Sequence, residues 1–263
     1  MEAQTNPRPF AIVTGASRGI GAEYARALAA RGFDLLLISR DMDRMNQLAS
    51  ELTGRHQASV DIEPMDLALP EAAHRLYIAA RQRRSTVDLL VNNAGFGLFG
   101  EFVEMPMARI QEMLRLHVNT VVESIRLFLP GMVKRRSGQI INVASIAGLF
   151  SVPYLAEYAA TKAFLITLSE ALAEEVRPFG VYIQVCCPGS TDTDFHATAG
   201  FRPKNPLGMQ SPAEVVAASL GALKRGPALV TIGWRGRVVS WLSRYVPRTM
   251  LARAAGARMK STG

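Results

Sequence analysis

Residues 10–21 read FAIVTGASRGIG, an apolar run followed directly by a turn that contains three glycines. Gly15 allows a sharp turn, because glycine adopts positive φ without a steric penalty. Gly19 allows the backbone to approach a phosphate, and Gly21 allows a helix to pack closely on a strand. A helix that starts here offers free N–H groups to an anion. The stretch therefore predicts a strand, a phosphate-binding turn and a helix.

Short apolar runs alternate with helical patterns along most of the chain. The predicted strands lie at residues 10–14, 34–39, 60–65, 87–92, 139–144, 181–187 and 228–232, and the two longest predicted helices at 107–133 and 156–177. This alternation is typical of βαβ units, whose right-handed crossovers produce a parallel sheet. We expect an α/β, doubly wound Rossmann fold: a seven-stranded parallel sheet with helices on both faces. In such folds, ligands bind outside the carboxyl ends of the strands.

The composition is that of a globular chain. Of the 263 residues, 49% are hydrophobic and 20% are charged, which suits one folded domain over residues 1–263. No apolar run approaches the roughly 18 residues that span a bilayer, and the start, MEAQTNPRPF, contains no apolar signal-peptide core. Cys186 and Cys187 are adjacent in an apolar run, which argues against a disulfide framework. We expect a cytoplasmic protein.

Basic residues are concentrated at the C-terminal end. The net charge is +8, and residues 215–263 contain nine Lys or Arg but no Asp or Glu. The other 21 basic residues are balanced by all 22 acidic ones. This distribution indicates a basic tail over residues 234–263. It argues against a nucleic-acid-binding face spread over the domain, so we expect no nucleic-acid partner.

The tail has a helical pattern over residues 235–246, which Pro247 then interrupts. Its apolar residues are predicted to share one side, beside Arg237 and Arg244; they are Val238, Val239, Trp241, Leu242, Tyr245 and Val246. Two interpretations are open. The face packs on the protein itself or on a neighbouring subunit, or the tail closes over an apolar substrate at an anionic membrane, to which each basic residue contributes roughly 1 kcal/mol.

Further motifs follow the glycine turn in chain order. They are NNAG at 92–95, Asn119 within HVNT, Ser145 within INVASIAG, YAATK at 158–162, and Pro188–Gly189 with Thr193 beyond them. With the TGxxxGxG spacing, the chain resembles the short-chain dehydrogenase/reductase family from residue 10 to about 193. A looser similarity, in LISRDMDRMNQL, LPGMV and the apolar-basic C-terminus, is to the branch that contains very-long-chain 3-oxoacyl and 17β-hydroxysteroid reductases.

The resemblance implies NADP(H) as the cofactor. NAD sites usually place an acidic residue about 20 residues after the glycines, whereas this chain has Ser39 followed by Arg40. A guanidinium can bind a 2′-phosphate bidentately, and Arg18 could reach the same group; the alternative is two solvated arginines. The cofactor-binding residues that the resemblance implies are Gly15, Ser17, Arg18, Gly19, Ile20, Gly21, Arg40, Asp66, Asn93, Ala94, Gly95, Tyr158, Lys162, Pro188, Gly189 and Thr193.

The catalytic residues are predicted to be Asn119, Ser145, Tyr158 and Lys162. Tyr158 and Lys162 are four residues apart and therefore share a helix face. An unperturbed phenol has a pKa of about 10, and we expect the nearby ammonium to lower it. Ser145 follows a strand and could donate a hydrogen bond to a substrate oxygen. The resemblance implies that Tyr158 is the proton donor to a carbonyl and that Asn119 binds a water in a proton relay.

The remaining site features are less specific. His117 and His196 have no partner at metal-ligand spacing, so we predict no metal site, with His117 on a helix face and His196 in the substrate loop. That loop is predicted at residues 190–211. The resemblance implies a homodimer or homotetramer formed through the helices at 107–133 and 156–177. The expected substrate is a small molecule, a bulky apolar ketone or a 3-oxoacyl compound.

Three other functions are compatible with parts of the sequence. A sugar-nucleotide epimerase is one, although such chains are longer and have a different glycine spacing. A catalytically silent NADPH-binding sensor is another, against which the intact set of four catalytic residues argues. A membrane-surface interaction protein is the third, and the basic tail is compatible with it.

Overall fold

The structure, a computed structural model, describes residues 8–200, 208–224 and 226–260. Its strands form one seven-stranded parallel sheet in the order β3-β2-β1-β4-β5-β6-β7. They are β1 (Phe10–Thr14), β2 (Asp34–Ser39), β3 (Val60–Pro64), β4 (Leu89–Asn92), β5 (Gly138–Val143), β6 (Val181–Cys187) and β7 (Leu229–Thr231). The predicted doubly wound Rossmann fold is confirmed, with strand ends shifted by one or two residues at four strands.

Ten α-helices connect the strands or follow them in the described residues. They are α1 (Gly19–Ala29), α2 (Met42–His56), α3 (Ala72–Arg83), α4 (Met107–Leu114), α5 (Thr120–Lys134), α6 (Ala156–Val176), α7 (Phe195–Ala199), α8 (Pro212–Ala222), α9 (Gly233–Tyr245) and α10 (Arg248–Lys260). Residues 201–207 of the predicted substrate loop, Arg225, and residues 261–263 of the predicted tail lie outside the described residues, as does the side chain of His196.

Both faces of the sheet are buried, which explains why the strands are almost uniformly apolar. In β2, side chains alternate between faces. Leu36 and Ile38 pack into the core under α3, α5 and α6, whereas Leu35 and Leu37 pack into the core under α1, α2 and α8. With both faces covered, the carboxyl edge is left for a ligand. There, β1 lies between β2 and β4, so the strand order reverses direction at β1.

The long helix predicted at 107–133 is interrupted in the structure. A π-helical turn, Arg115–Asn119, separates α4 from α5. Such turns contain one extra residue per turn and are often found at functional sites. The predicted substrate loop also differs from expectation, because it contains the short helix α7. Two backbone hydrogen bonds join the two ends of this loop: Gln210 N donates to Ser190 O, and Asp192 N donates to Gln210 O, both at 2.9 Å.

The tail forms α9 and α10, and the predicted interruption at Pro247 separates them. The apolar residues predicted to share one side of α9 span about 160° of the helix, and the structure divides that side between two surroundings. Val239 and Leu242 face the cleft at the carboxyl edge, whereas Trp241 and Tyr245 are 60% and 70% exposed. Only part of the predicted apolar side is therefore covered by the protein itself. Within the described ranges, no helix is both long enough and apolar enough to cross a membrane.

Candidate active site

A cleft of about 940 Å³ lies at the carboxyl edge of the sheet and is covered by α9 and α10. Almost all predicted site residues line it. They are Gly15, Ser17, Arg18, Gly19, Ile20, Arg40, Asp66, Asn93, Ala94, Gly95, Ser145, Tyr158, Lys162, Pro188, Gly189 and Thr193. Gly21 lies behind the glycine turn, and Asn119 does not reach the cleft. Residues from six separate loops are thus brought to one place.

The glycine turn has no room for side chains at its two ends. Gly15 has a φ of +65°, and a Cβ there would lie 2.9 Å from Ala94 Cα. A Cβ on Gly21 would lie 2.2 Å from the carbonyl oxygen of Gly15. Asn93 connects this turn to the loop after β4, since its Nδ2 donates to Thr14 O at 2.9 Å. The bare backbone and the start of α1 can therefore accommodate the pyrophosphate of a dinucleotide.

Three arginines surround the carboxyl end of β2. Arg18 and Arg44 lie 3.3 Å and 3.6 Å from the same carboxylate oxygen, Asp194 Oδ2. Arg40 lies 3.8 Å from Asp66 Oδ2 and 3.9 Å from Glu112 Oε1. Exposed pairs of this kind contribute about 0–1 kcal/mol each, so a phosphate dianion can compete for these guanidinium groups. Sequence reasoning missed Arg44, which lies beside Arg18 through their shared contact with Asp194.

Tyr158 and Lys162 are both buried on α6 and line the cleft. Lys162 Nζ donates to Val143 O at 2.9 Å and lies 5.6 Å from the centre of the Tyr158 ring. Ser145 follows β5, and its Oγ accepts a hydrogen bond from Ala147 N at 3.1 Å. The predicted tyrosine, lysine and serine therefore lie together, with Tyr158 in ring contact with Phe195 at 5.3 Å between centroids.

Burial controls the protonation of this group. It raises the pKa of Tyr158 to about 12, although a hydrogen bond with Ser145 acts in the opposite direction. Burial also lowers the pKa of Lys162 to about 8. The expected lowering of the phenol pKa is not found, because desolvation of the phenolate is the largest influence on this group. The phenol therefore carries its proton at neutral pH, as a proton donor requires.

The prediction of Asn119 as a site residue is contradicted by its position. Its side chain is exposed, whereas His117, two residues earlier, is 1% exposed. Residues two apart lie on nearly opposite sides of a helix, so both cannot face the site. The prediction that His117 occupies an ordinary helix face is also wrong, since the ring lies beside Gly95, Phe96 and Tyr158.

The other end of the cleft is apolar. It is lined by residues from the loop after β5, from α7 and from the tail, and these are Phe150, Val152, Leu155, Phe195, Val238, Val239, Leu242, Leu251, Ala255 and Met259. Gln210 connects this wall to the sheet, as it accepts from Gly189 N at 3.0 Å and donates to Ile232 O at 2.9 Å. Tyr158 lines the same cleft and contacts this apolar part through Phe195.

Comparison with known proteins agrees with this architecture. Residues 9–202 match the family model for short chain dehydrogenases. A short-chain dehydrogenase from Sphingobium yanoikuyae, solved in complex with NADPH, has a TM-score of 0.80 and 32% identity, and the match covers 85% of this chain and 87% of that one. The chain belongs to the short-chain dehydrogenase family.

Two curated relatives are informative about the branch. A very-long-chain 3-oxoacyl-CoA reductase from Pyrenophora tritici-repentis is 35% identical over 66% of this chain and 52% of its own length. The ketoacyl reductase HetN from Nostoc sp. is 33% identical over 81% of this chain and 74% of its own length. The chain therefore spans about half to three quarters of the length of these relatives.

Proposed function

We propose that the protein is an NADP(H)-dependent reductase that transfers a hydride to a carbonyl carbon, with Tyr158 as the proton donor. The observation that carries this proposal is the group formed by Ser145 and the buried Tyr158 and Lys162 in the wall of the cleft. A phenol that remains protonated at neutral pH suits reduction. The alternative of a catalytically silent sensor is not favoured, because the proton donor and its neighbours are intact.

Each residue has a distinct part in the proposed reaction. The nicotinamide supplies the hydride when the cofactor is bound. Ser145 donates a hydrogen bond to the carbonyl oxygen and so stabilises the negative charge that develops there. Tyr158 transfers its proton to that oxygen. Lys162 stabilises the phenolate that results, and its spare donors can bind ribose hydroxyls.

The cofactor would lie along the glycine turn and across the carboxyl ends of β1 and β4. We assign its 2′-phosphate to the arginines beside β2, where no acidic residue takes the place of Ser39. Asp66, Asn93, Ala94 and Gly95 would contact the adenosine half. Pro188, Gly189 and Thr193 would contact the nicotinamide half.

The substrate is proposed to be a bulky apolar ketone or a 3-oxoacyl compound. The apolar wall formed by the loop after β5, α7, α9 and α10 supports this assignment, since it contacts Tyr158 through Phe195 and is made largely of aliphatic and aromatic side chains. The printed names of the two reductases above agree with it. The basic tail beside this wall would suit an acyl group joined to an anionic carrier.

We also propose that the full chain acts as one catalytic domain in the cytoplasm. Cys186 and Cys187 are buried free thiols, which is consistent with a reducing compartment. A homodimer or homotetramer is supported by α6, where Ala160, Phe164 and Thr167 form an exposed face without charge. A two-fold interface would use the same face of both subunits.

A second surface supports peripheral membrane contact. Arg237, Trp241, Arg244, Tyr245 and Arg248 are exposed and follow one another at helical spacing along α9 and into α10; we call this set the aromatic–arginine stripe. The Trp241 and Tyr245 rings pack together at 5.1 Å between centroids. Aromatic rings beside arginines suit a membrane interface, where the rings enter the headgroup region and the charges remain hydrated.

Replacement of Tyr158 by Phe tests the proton donor. Loss of the hydroxyl should lower kcat by about 100-fold to 10,000-fold and leave the NADPH dissociation constant within about twofold, because the ring is retained. NADPH oxidation is first screened against ketones, steroids, 3-oxoacyl thioesters and aldehydes to find the substrate. Tyr182→Phe, a partly exposed tyrosine on β6, is the matched control. A Tyr158→Phe enzyme within tenfold of the parent would contradict the assignment.

Cofactor preference tests Arg40. Arg40→Ala should weaken NADPH binding by about tenfold or more, since a charge-assisted contact contributes roughly 1.5–3 kcal/mol, and should leave NADH binding unchanged. Fluorescence titration measures both. Arg55→Ala is the control, because Arg55 is paired with Glu51 on the far end of α2. Equal losses for NADPH and NADH would show that Arg40 does not contact the 2′-phosphate.

Sedimentation equilibrium tests the oligomer. At micromolar concentration the parent should have the mass of a dimer or tetramer, and Phe164→Glu should lower that mass by placing a charge in the α6 face. Phe102→Glu, which changes an exposed side chain in the turn after β4, should have no effect. A parent protein that sediments as a monomer is the contrary result.

Vesicle flotation tests the aromatic–arginine stripe. The full chain should float with phosphatidylserine vesicles and less with neutral phosphatidylcholine vesicles. Replacing Arg237 and Arg244 together by Glu should weaken binding by at least about tenfold, given roughly 1 kcal/mol for each basic residue near an anionic leaflet. Arg55→Glu serves as the control for charge. If the parent does not bind anionic vesicles, the proposed membrane contact is wrong.

A further inference from the structure

His117 is a fully buried titratable side chain that the proposed reaction does not use. It lies in the π-helical turn between α4 and α5 and is 1% exposed. Its ring packs edge-on against Tyr158 at 5.9 Å and against Phe96 at 5.7 Å between centroids. A Cβ on Gly95 would lie 2.9 Å from Nε2, so the ring is in direct contact with the backbone of the NNAG motif.

The hydrogen bonds of His117 determine its tautomer. The backbone N–H of Phe96 donates to Nε2 at 3.1 Å, so Nε2 carries no proton. Nδ1 therefore carries the proton and lies 3.0 Å from Thr161 Oγ1. Thr161 can accept that hydrogen bond because its own hydroxyl donates to Tyr158 O at 2.8 Å. The donors and acceptors are mutually consistent only for a neutral imidazole.

The electrostatic environment also favours the neutral ring. Burial, and after it the positive charge of Lys162, lowers the pKa of His117 well below its usual value. An imidazolium would place a second cation beside Lys162 and would lose the bond from Phe96. A buried charge without a partner is strongly disfavoured. The hydrogen bonds and the surrounding charges therefore both favour a neutral His117 ring.

The His117 ring connects the cofactor side of the site, at Gly95–Phe96, with the segment that carries Tyr158. On one side, Phe96 directly follows Gly95, which lines the cofactor end of the cleft. On the other, Thr161 contacts the peptide carbonyl of Tyr158 itself. A displacement of about 1 Å between reacting groups can cost roughly 100-fold in rate. A rigid, uncharged bridge between these two segments would prevent such a displacement.

We propose that His117 is a positioning residue, which as the neutral Nδ1–H tautomer fixes the backbone at Gly95–Phe96 relative to Tyr158. This inference rests on the proposed carbonyl reduction for its kinetic consequence, but the tautomer itself does not depend on that reaction. A purely structural histidine would change stability when replaced, without changing kcat per folded molecule. A positioning residue changes kcat.

Three variants separate these roles. Gln at position 117 can accept from Phe96 N and donate to Thr161 Oγ1 without titrating, whereas Leu has similar bulk and can do neither. Thr161→Val removes the acceptor of the Nδ1 proton and changes the site less. NADPH binding, followed by fluorescence titration, gives the concentration of folded, competent protein to which each kcat is referred.

His117→Gln should retain kcat within about tenfold, and His117→Leu and Thr161→Val should lower it by about 10-fold to 100-fold, with NADPH bound by all three. The proposal is overturned if His117→Leu and Thr161→Val bind NADPH and keep the parental kcat. It is also overturned if His117→Gln loses as much kcat as His117→Leu. If the Leu variant does not fold, Thr161→Val provides the kinetic comparison.

The tautomer is measured without substrate or turnover. Long-range ¹H–¹⁵N correlation spectra of the ¹⁵N-labelled full chain, compared with those of His117→Gln to assign the ring, should show a neutral Nδ1–H imidazole at pH 7. An imidazolium or an Nε2–H tautomer would overturn the proposal. If the spectra show the expected tautomer and no carbonyl compound is reduced, the proposed function has failed while the assignment of the tautomer stands.

Discussion

The carbonyl oxygen of Gly15 lies so close to Gly21 that a side chain at Gly21 would sit 2.2 Å from it. This approach allows α1 to begin directly beneath the turn after β1, with its free N–H groups at the carboxyl edge of the sheet. Asn93 then joins the same turn to the loop after β4 through Thr14 O. A binding cleft forms at the carboxyl end of β1, between β2 and β4, because the turn after β1 and the loop after β4 can approach each other closely there.

Burial of the catalytic side chains controls their protonation. Tyr158 and Lys162 share a helix face, and their spacing alone would suggest a phenolate paired with an ammonium cation. Both side chains are buried, and each group is therefore shifted towards its neutral form: the pKa of the phenol is raised and that of the ammonium is lowered. The phenol keeps its proton, and the lysine loses its charge more readily than an exposed lysine. A donor that must release its proton only when negative charge develops nearby benefits from this arrangement, because the same low dielectric strengthens its interaction with that charge.

Sequence reasoning was sufficient where chemistry and periodicity coincide. The seven strands follow from apolar runs between turns, and Tyr158 and Lys162 follow from a spacing of four on a helix. The sequence-based assignment of Asn119 failed because a shift of two residues moves a side chain from the buried side of a helix to the exposed side. The burial pattern contained the correct signal, since His117 continues the series of Ile110, Met113 and Thr120. It also failed to find Arg44, whose contact with Asp194 joins α2 to the loop before α7, because contacts between distant segments leave no local pattern.

The tail illustrates why composition alone cannot assign a surface. Its aliphatic and aromatic residues form one broad side of α9, and the two edges of that side have different surroundings: Val239 and Leu242 face the cleft, and Trp241 and Tyr245 face solvent. On the membrane proposal, this division has a physical benefit. An apolar substrate leaving a bilayer would pass from the lipid beside the outer face to the apolar wall on the inner face of the same helix, without full exposure to water. Each additional buried CH₂ is worth about 0.8 kcal/mol, so the advantage of that route over diffusion through water grows with the length of the substrate chain.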